Sequence, residues 1–141
     1  MGHTAIFLPV MALVGWTFVV LLTIPFRRFR AAFKGEVTAA DFRNGESRRV
    51  PLEVSLANRN FMNLLEAPVL FYVVCFIYYL TNAPIASFVT LAWIFVGLRV
   101  VHSLIHLIYN NVMHRLVAYA ASNVVLIVLW LLLLRTLLQA T

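Results

Sequence analysis

The sequence predicts an all-α membrane protein, a bundle of four membrane-spanning helices, on three observations. The 141 residues are 63% hydrophobic and only 11% charged, with a mean hydropathy of +0.93. An average soluble domain carries about 25% charged residues. Four windows reach the roughly 20 apolar residues that a helix needs to cross a bilayer: residues 4–26, 60–80, 84–108 and 116–138. Arg27, Arg28, Arg30, Lys34, Arg43, Arg48, Arg49 and Arg59 crowd into the first connection, about residues 27–56, and its border. A β-barrel would show short alternating segments instead of long Leu/Val/Ile/Phe runs. Soluble helices this apolar would have no polar face. The length fits one domain, 1–141.

The first window opens with MGHTAIF, which has no Lys or Arg, and ends in Pro25-Phe26-Arg27-Arg28. A retained span is expected rather than a cleaved signal. The connection that follows mixes charges with Gly35, Gly45 and Pro51, consistent with a short amphipathic or irregular excursion. The second window holds the lone cysteine, Cys75, so no intrachain disulfide forms. Pro9 and Pro68 lie within helical runs and should bend them or mark an end. The turn Thr81-Asn82-Ala83-Pro84 is uncharged, and the last connection, near Asn110–Arg115, brings back Arg115. Tight turns make the last three spans antiparallel neighbours. By the positive-inside rule the basic loop is cytoplasmic and both termini face the other side. The net charge of +6 is then a topology signal that favours membrane lipids. No nucleic-acid partner is expected, because no motif-bearing soluble domain exists to use the charge.

Polar residues repeat at helical spacing inside the apolar runs. Arg59, Asn63 and Glu66 follow i, i+4, i+7 and share one face. Arg99, His102, His106 and Tyr109 follow i, i+3, i+7, i+10. Arg115 and Tyr119 are i, i+4, with Ser122 and Asn123 a turn further. An ionised side chain at a helix centre costs about 2.5–3.5 kcal/mol, so such groups face a bundle interior or wet cavity and mark function. Converging stripes imply a polar pocket open to the basic side. Blander readings exist for each. Arg59 and Arg115 can snorkel to headgroups, and Glu66 can serve as a structural partner of Arg99 or Arg59. His102 and His106 form H-x-x-x-H without the glutamate of a zinc motif, so no metal is expected. The inventory suits a small zwitterionic ligand. Arginines fork onto carboxylates, Glu66 can receive an ammonium, and a cation near a thiol favours its thiolate. Glutathione fits, and a phosphorylated ligand would also want arginines.

The order of these motifs resembles a known family. Arg59-x-x-x-Asn63-x-x-Glu66 before Pro68, Arg99-x-x-His102, Arg115-x-x-x-Tyr119 after a tight turn, and the cluster Arg27–Phe33 are similar to the four helices of the membrane-associated proteins in eicosanoid and glutathione metabolism. The resemblance implies a homotrimer that binds glutathione as co-substrate between subunits. It implies conjugation of glutathione to lipophilic electrophiles, or reduction of lipid hydroperoxides. Arg27 or Arg30, Arg59, Asn63, Glu66, His102 and Tyr119 would contact glutathione; Arg99, His106 and Tyr109 would complete the pocket. Arg115 falls where the family has the arginine that stabilises the thiolate. His106 replaces a tyrosine of several members, and Leu116 replaces the serine of prostaglandin-forming ones, which argues against prostaglandin synthesis. The rival reading is a non-catalytic trimer whose polar stripes serve assembly, or bind a lipid headgroup or small anion.

Overall fold

Helix α1 (Phe7–Phe33) is entered through a 3-10 turn at His3–Ile6. It runs past the expected edge at residue 26 and carries Arg27, Arg28 and Arg30 onto the helix. What stops it is Gly35. Its φ of +72° is a left-handed value that side chains disfavour. The Gly35 N–H then bonds Ala32 O at 2.9 Å and the Glu36 N–H bonds Ala31 O at 3.0 Å, closing the helix in a Schellman motif. This computed structural model describes residues 2–84 and 86–140. Met1, Ile85 and Thr141 of the expected 1–141 domain lie outside the described residues.

The connection after α1 is folded rather than irregular. A 3-10 turn at Ala39–Phe42 is capped by Thr38, and Asp41 organises it. The Asp41 carboxylate accepts hydrogen bonds from the Ser47 hydroxyl (2.6 Å), the Thr38 N–H (2.8 Å) and the Thr38 hydroxyl (2.9 Å). Beneath it, Ala31, Val37, Val50 and Val54 form a small apolar core. The Ser47 bond first, and then those from Thr38, hold the Asp41 carboxyl below the usual carboxylate range. A carboxyl lowered on folding adds stability that is complete above its unfolded pKa. That stability is lost as pH falls through the folded value. Amide protection across residues 36–50 should therefore be lost in acid, as pH falls through the lowered Asp41 value, and Asp41→Asn should show the reduced protection already at neutral pH. Equal protection of the wild type in acid and at neutral pH would remove Asp41 as the organiser.

Helices α2 (Leu52–Leu65) and α3 (Ala67–Leu80) together make the second span, which starts earlier than residue 60. They break at Glu66 (φ −89°, ψ −97°). Pro68 causes this. It has no N–H to give Leu64 O, and its ring collides with that carbonyl. The bend expected at Pro68 thus falls two residues earlier. Helix α4 (Ala86–Ile108) follows, and α5 (Val112–Ala140) completes the chain. The described residues are helical throughout, apart from the turns, and contain no strand. Among the described residues, four helical segments are long and apolar enough to cross a membrane.

Helix α4 is the most enclosed of the four spans and packs on α1, α2 and α5. Lipid tails are as apolar as leucine, so packing and internal hydrogen bonds hold these helices together. Phe71 stacks on Phe95 at 4.5 Å, and Tyr78 stacks on Phe88 at 3.9 Å. The Tyr78 hydroxyl donates to Pro84 O at 3.0 Å. Cys75 is buried in this core, as a small hydrophobe. Thr17, Thr90 and Thr136 return their hydroxyls to carbonyls four residues back, and Ser122 bonds Tyr119 O. These hydroxyls are internally satisfied and need no ligand.

Candidate functional site

The last four C=O groups of a helix have no partner within it. Two arginines answer that need. Asn63 is one of the last residues of α2, and the buried guanidinium of Arg99 donates through Nη2 to its carbonyl. Leu107 likewise lies in the last turn of α4, and Arg27 Nη2 donates to its carbonyl at 3.3 Å. Arg27 Nη1 also donates to Glu53 O at 2.7 Å. A cation at a helix C-terminus meets the negative end of the helix dipole. Both residues thus tie the polar ends of the helices together.

The turn between α4 and α5 is built by two asparagines. Asn110 adopts φ +48°, a left-handed conformation that Asn tolerates. Its N–H bonds Ile105 O at 2.7 Å and ends α4. Asn111 caps α5, its Oδ1 accepting the His114 N–H at 3.0 Å. Arg115 is consequently fixed one turn into α5. Its Nη1 donates to Asn110 Oδ1 at 2.6 Å. His102 Nδ1 lies 3.0 Å from Arg115 O. A carbonyl only accepts, so His102 Nδ1 carries a proton and donates it.

Arg115 stands between two cavities. One, of about 340 Å³, is lined by Asn58, Arg59, Met62, Asn63, Glu66, His106 and Arg115. The other, of about 250 Å³, is lined by Asn63, His102, Val112, Arg115, Leu116 and Tyr119. Asn63 and Arg115 belong to both. Arg99 lies behind them, fully buried, with its guanidinium 5.5 Å from the Tyr119 ring centre. Among the described residues, Arg99 Nε and Nη1, His102 Nε2, His106 Nδ1 and Asn60 Oδ1 are buried without a hydrogen-bond partner. Three guanidinium groups therefore surround a site with one carboxyl group, Glu66, an excess that suits an anionic ligand.

The structure brings Arg59, Asn63, Glu66, His102, His106, Arg115 and Tyr119 together on these cavities. Others stand apart. Arg27 is engaged at the end of α4, and Arg30 lines a separate cavity with Phe26, Phe29, Phe33 and Lys34. Tyr109 is exposed, its hydroxyl 3.1 Å from His114 Nδ1. Glu66 is exposed on the single chain, and among the described residues neither of the ion pairs within 4.0 Å involves it. Its suggested pairing with Arg99 or Arg59 is not formed. The same residues include no group of three or more His, Cys, Asp or Glu side chains placed to hold a metal.

The profile of one family matches residues 6–135, nearly the whole chain. The chain belongs to the MAPEG family. No curated protein and no solved structure matches it. MAPEG membership makes this an integral, multi-pass membrane protein of the glutathione and eicosanoid metabolism kind. It also gives the resembling motifs a common frame, since residues 59–66, 99–106 and 115–119 all lie within the matched stretch.

Two neighbours of the site escape sequence reasoning. Asn60 Nδ2 donates to the Ser103 hydroxyl at 2.6 Å in a fully buried contact between α2 and α4. Asn60 sits one position from Arg59 and so falls off the polar face, although a second asparagine within an apolar run was a usable signal. Asn110 holds Arg115, and the pair Asn110-Asn111 between two helices is itself a turn signature.

Proposed function

We propose that this protein is a glutathione-dependent membrane enzyme that conjugates glutathione to lipophilic electrophiles, or reduces lipid hydroperoxides with it. The carrying observation is the pair of cavities joined at Asn63 and Arg115. Arg59 and Glu66 lie on one side, and His102 and Tyr119 on the other. Arg59 suits a glutathione carboxylate, Glu66 its ammonium, and Asn63 an amide. Arg115, at the junction, is the group to stabilise the thiolate. Val112 and Leu116 offer the apolar contact that a lipophilic substrate needs. The basic loop is proposed to be cytoplasmic, by the charge asymmetry.

The same surfaces support the proposal of a homotrimer. Arg59 and Glu66 are exposed on the single chain, although Glu66 sits within the second span. Lipid cannot solvate such groups, so a neighbouring subunit and a ligand between the two would cover them.

Calorimetry with detergent-solubilised protein tests the reading. Glutathione should bind, and Glu66→Gln or Arg59→Ala should weaken binding by about 2–5 kcal/mol, the typical loss from one partner of a desolvated charged pair. Assembly on size-exclusion chromatography should persist. The non-catalytic reading draws support from Arg27 and Arg99, whose hydrogen bonds are structural. It predicts the reverse pattern, with loss of the trimer and no binding at millimolar glutathione.

A further inference from the structure

The folded loop and the end of α1 enclose another cavity, of about 420 Å³, which shares no residue with the two at Arg115. Its walls are mainly apolar, with Ile24, Pro25 and Phe29 on α1 facing Val37, Ala39 and Phe42 of the loop. One charged side chain lines it, Arg28. The Arg28 guanidinium sits 4.5 Å over the Phe42 ring and 3.7 Å from Glu46 Oε1. That separation is too long for a hydrogen bond. Among the described residues, Arg28 Nε and Glu46 Oε1 are both buried without a hydrogen-bond partner. The pair is close enough to attract and too far apart to satisfy either group.

Depth identifies what reaches such a cavity. The apolar run of α1 ends at Phe26 and the arginines begin at Arg27. The cavity straddles that boundary, where acyl chains give way to headgroups. Arg30, Lys34, Arg43, Arg48 and Arg49 are exposed on the same helix end and loop. We infer that this cavity is a binding site for an anionic phospholipid. One acyl chain lies along Ile24, Pro25 and Phe29 beneath the loop, and the phosphate satisfies Arg28. The charge favours an anionic over a zwitterionic lipid, whose own cation the surrounding arginines repel. The site also gives the loop a purpose, because Asp41 and its hydrogen bonds hold the wall that Ala39 and Phe42 provide.

The test uses the full chain reconstituted in nanodiscs with equal phosphatidylglycerol and phosphatidylcholine, followed by native mass spectrometry of retained lipid. The wild type should retain phosphatidylglycerol in preference, by about fivefold for one well-placed basic side chain. Ala32→Trp places an indole in the cavity from an exposed position on α1 and alters no charge. It should abolish the preference while helicity and glutathione binding are unchanged. Arg28→Gln should lower the preference similarly. Because that change also removes the contacts to Glu46 and Phe42, Ala39→Trp serves as the second cavity-filling variant. Equal retention of both lipids by the wild type means an unselective acyl groove and overturns the inference. So does a phosphatidylglycerol preference that survives both tryptophan variants.

Discussion

Arg115→Ala should leave a folded protein that still binds glutathione and conjugates it poorly. A guanidinium offers a delocalised positive charge and several N–H donors, so it can stabilise a thiolate by a charge-assisted contact. A free thiol has a pKa of about 8.5, and each unit by which a cation lowers it is worth about 1.4 kcal/mol. One charge-assisted contact can supply that. The rate with a chloronitrobenzene electrophile at neutral pH should therefore fall about ten- to a hundredfold, and the ultraviolet absorbance of bound thiolate should vanish. Raising the pH should restore much of the rate, because bulk alkalinity then removes the proton. Affinity should suffer less, since Arg59 and Glu66 line the cavity independently.

Asn110 provides the graded version of that experiment. Asn110→Gly keeps the left-handed backbone easy to adopt and deletes the oxygen that holds Arg115 Nη1 at 2.6 Å. The charge remains but its position loosens. A drop smaller than that of Arg115→Ala is expected, with the thiolate signal shifted toward higher pH rather than lost. If Arg115→Ala leaves both the absorbance and the rate unchanged, Arg115 is not the activating group. Arg59, which lines one of the same cavities, then becomes the candidate.

The bundle was legible because bilayer thickness sets the length of an apolar run, and four such runs are plain in the sequence. Helix ends were less legible. Arginine is a good helix former, so nothing halts α1 at Arg27, and only the left-handed Gly35 does so. The stripes Arg59–Asn63–Glu66 and Arg99–His102–His106 followed from helical spacing alone. Spacing cannot say which donors are already engaged. Arg27 and Arg99 look alike in sequence to Arg59 and Arg115, yet they cap the ends of α4 and α2. Those caps depend on where a neighbouring helix stops, and for α2 that point is set by Pro68 on another part of the chain. The Asn60–Ser103 contact is tertiary for the same reason.

Arg99 separates scaffold from site most sharply. It is fully buried, with Nε and Nη1 unpartnered and one hydrogen bond to Asn63 O. Placing such a charge inside a span costs about 2.5–3.5 kcal/mol, and a hydrogen bond from a charged group returns about 1.5–3 kcal/mol. The two nearly cancel. Arg99→Met, which keeps length and loses charge, should therefore change stability by only about 1 kcal/mol. Arg99→Ala adds a cavity and should cost about 2–5 kcal/mol. Function should respond differently. Arg99 holds the carbonyl of Asn63, which lines both cavities, and lies over Tyr119, which lines one. Freeing Asn63 from that anchor should lower glutathione affinity about tenfold in Arg99→Met, or about 1.4 kcal/mol, while the melting temperature hardly moves. Thermal denaturation beside a glutathione titration reads both quantities on one preparation. A methionine variant that unfolds readily would make Arg99 chiefly a brace for the broken second span. One that is stable and binds normally would remove it from the site.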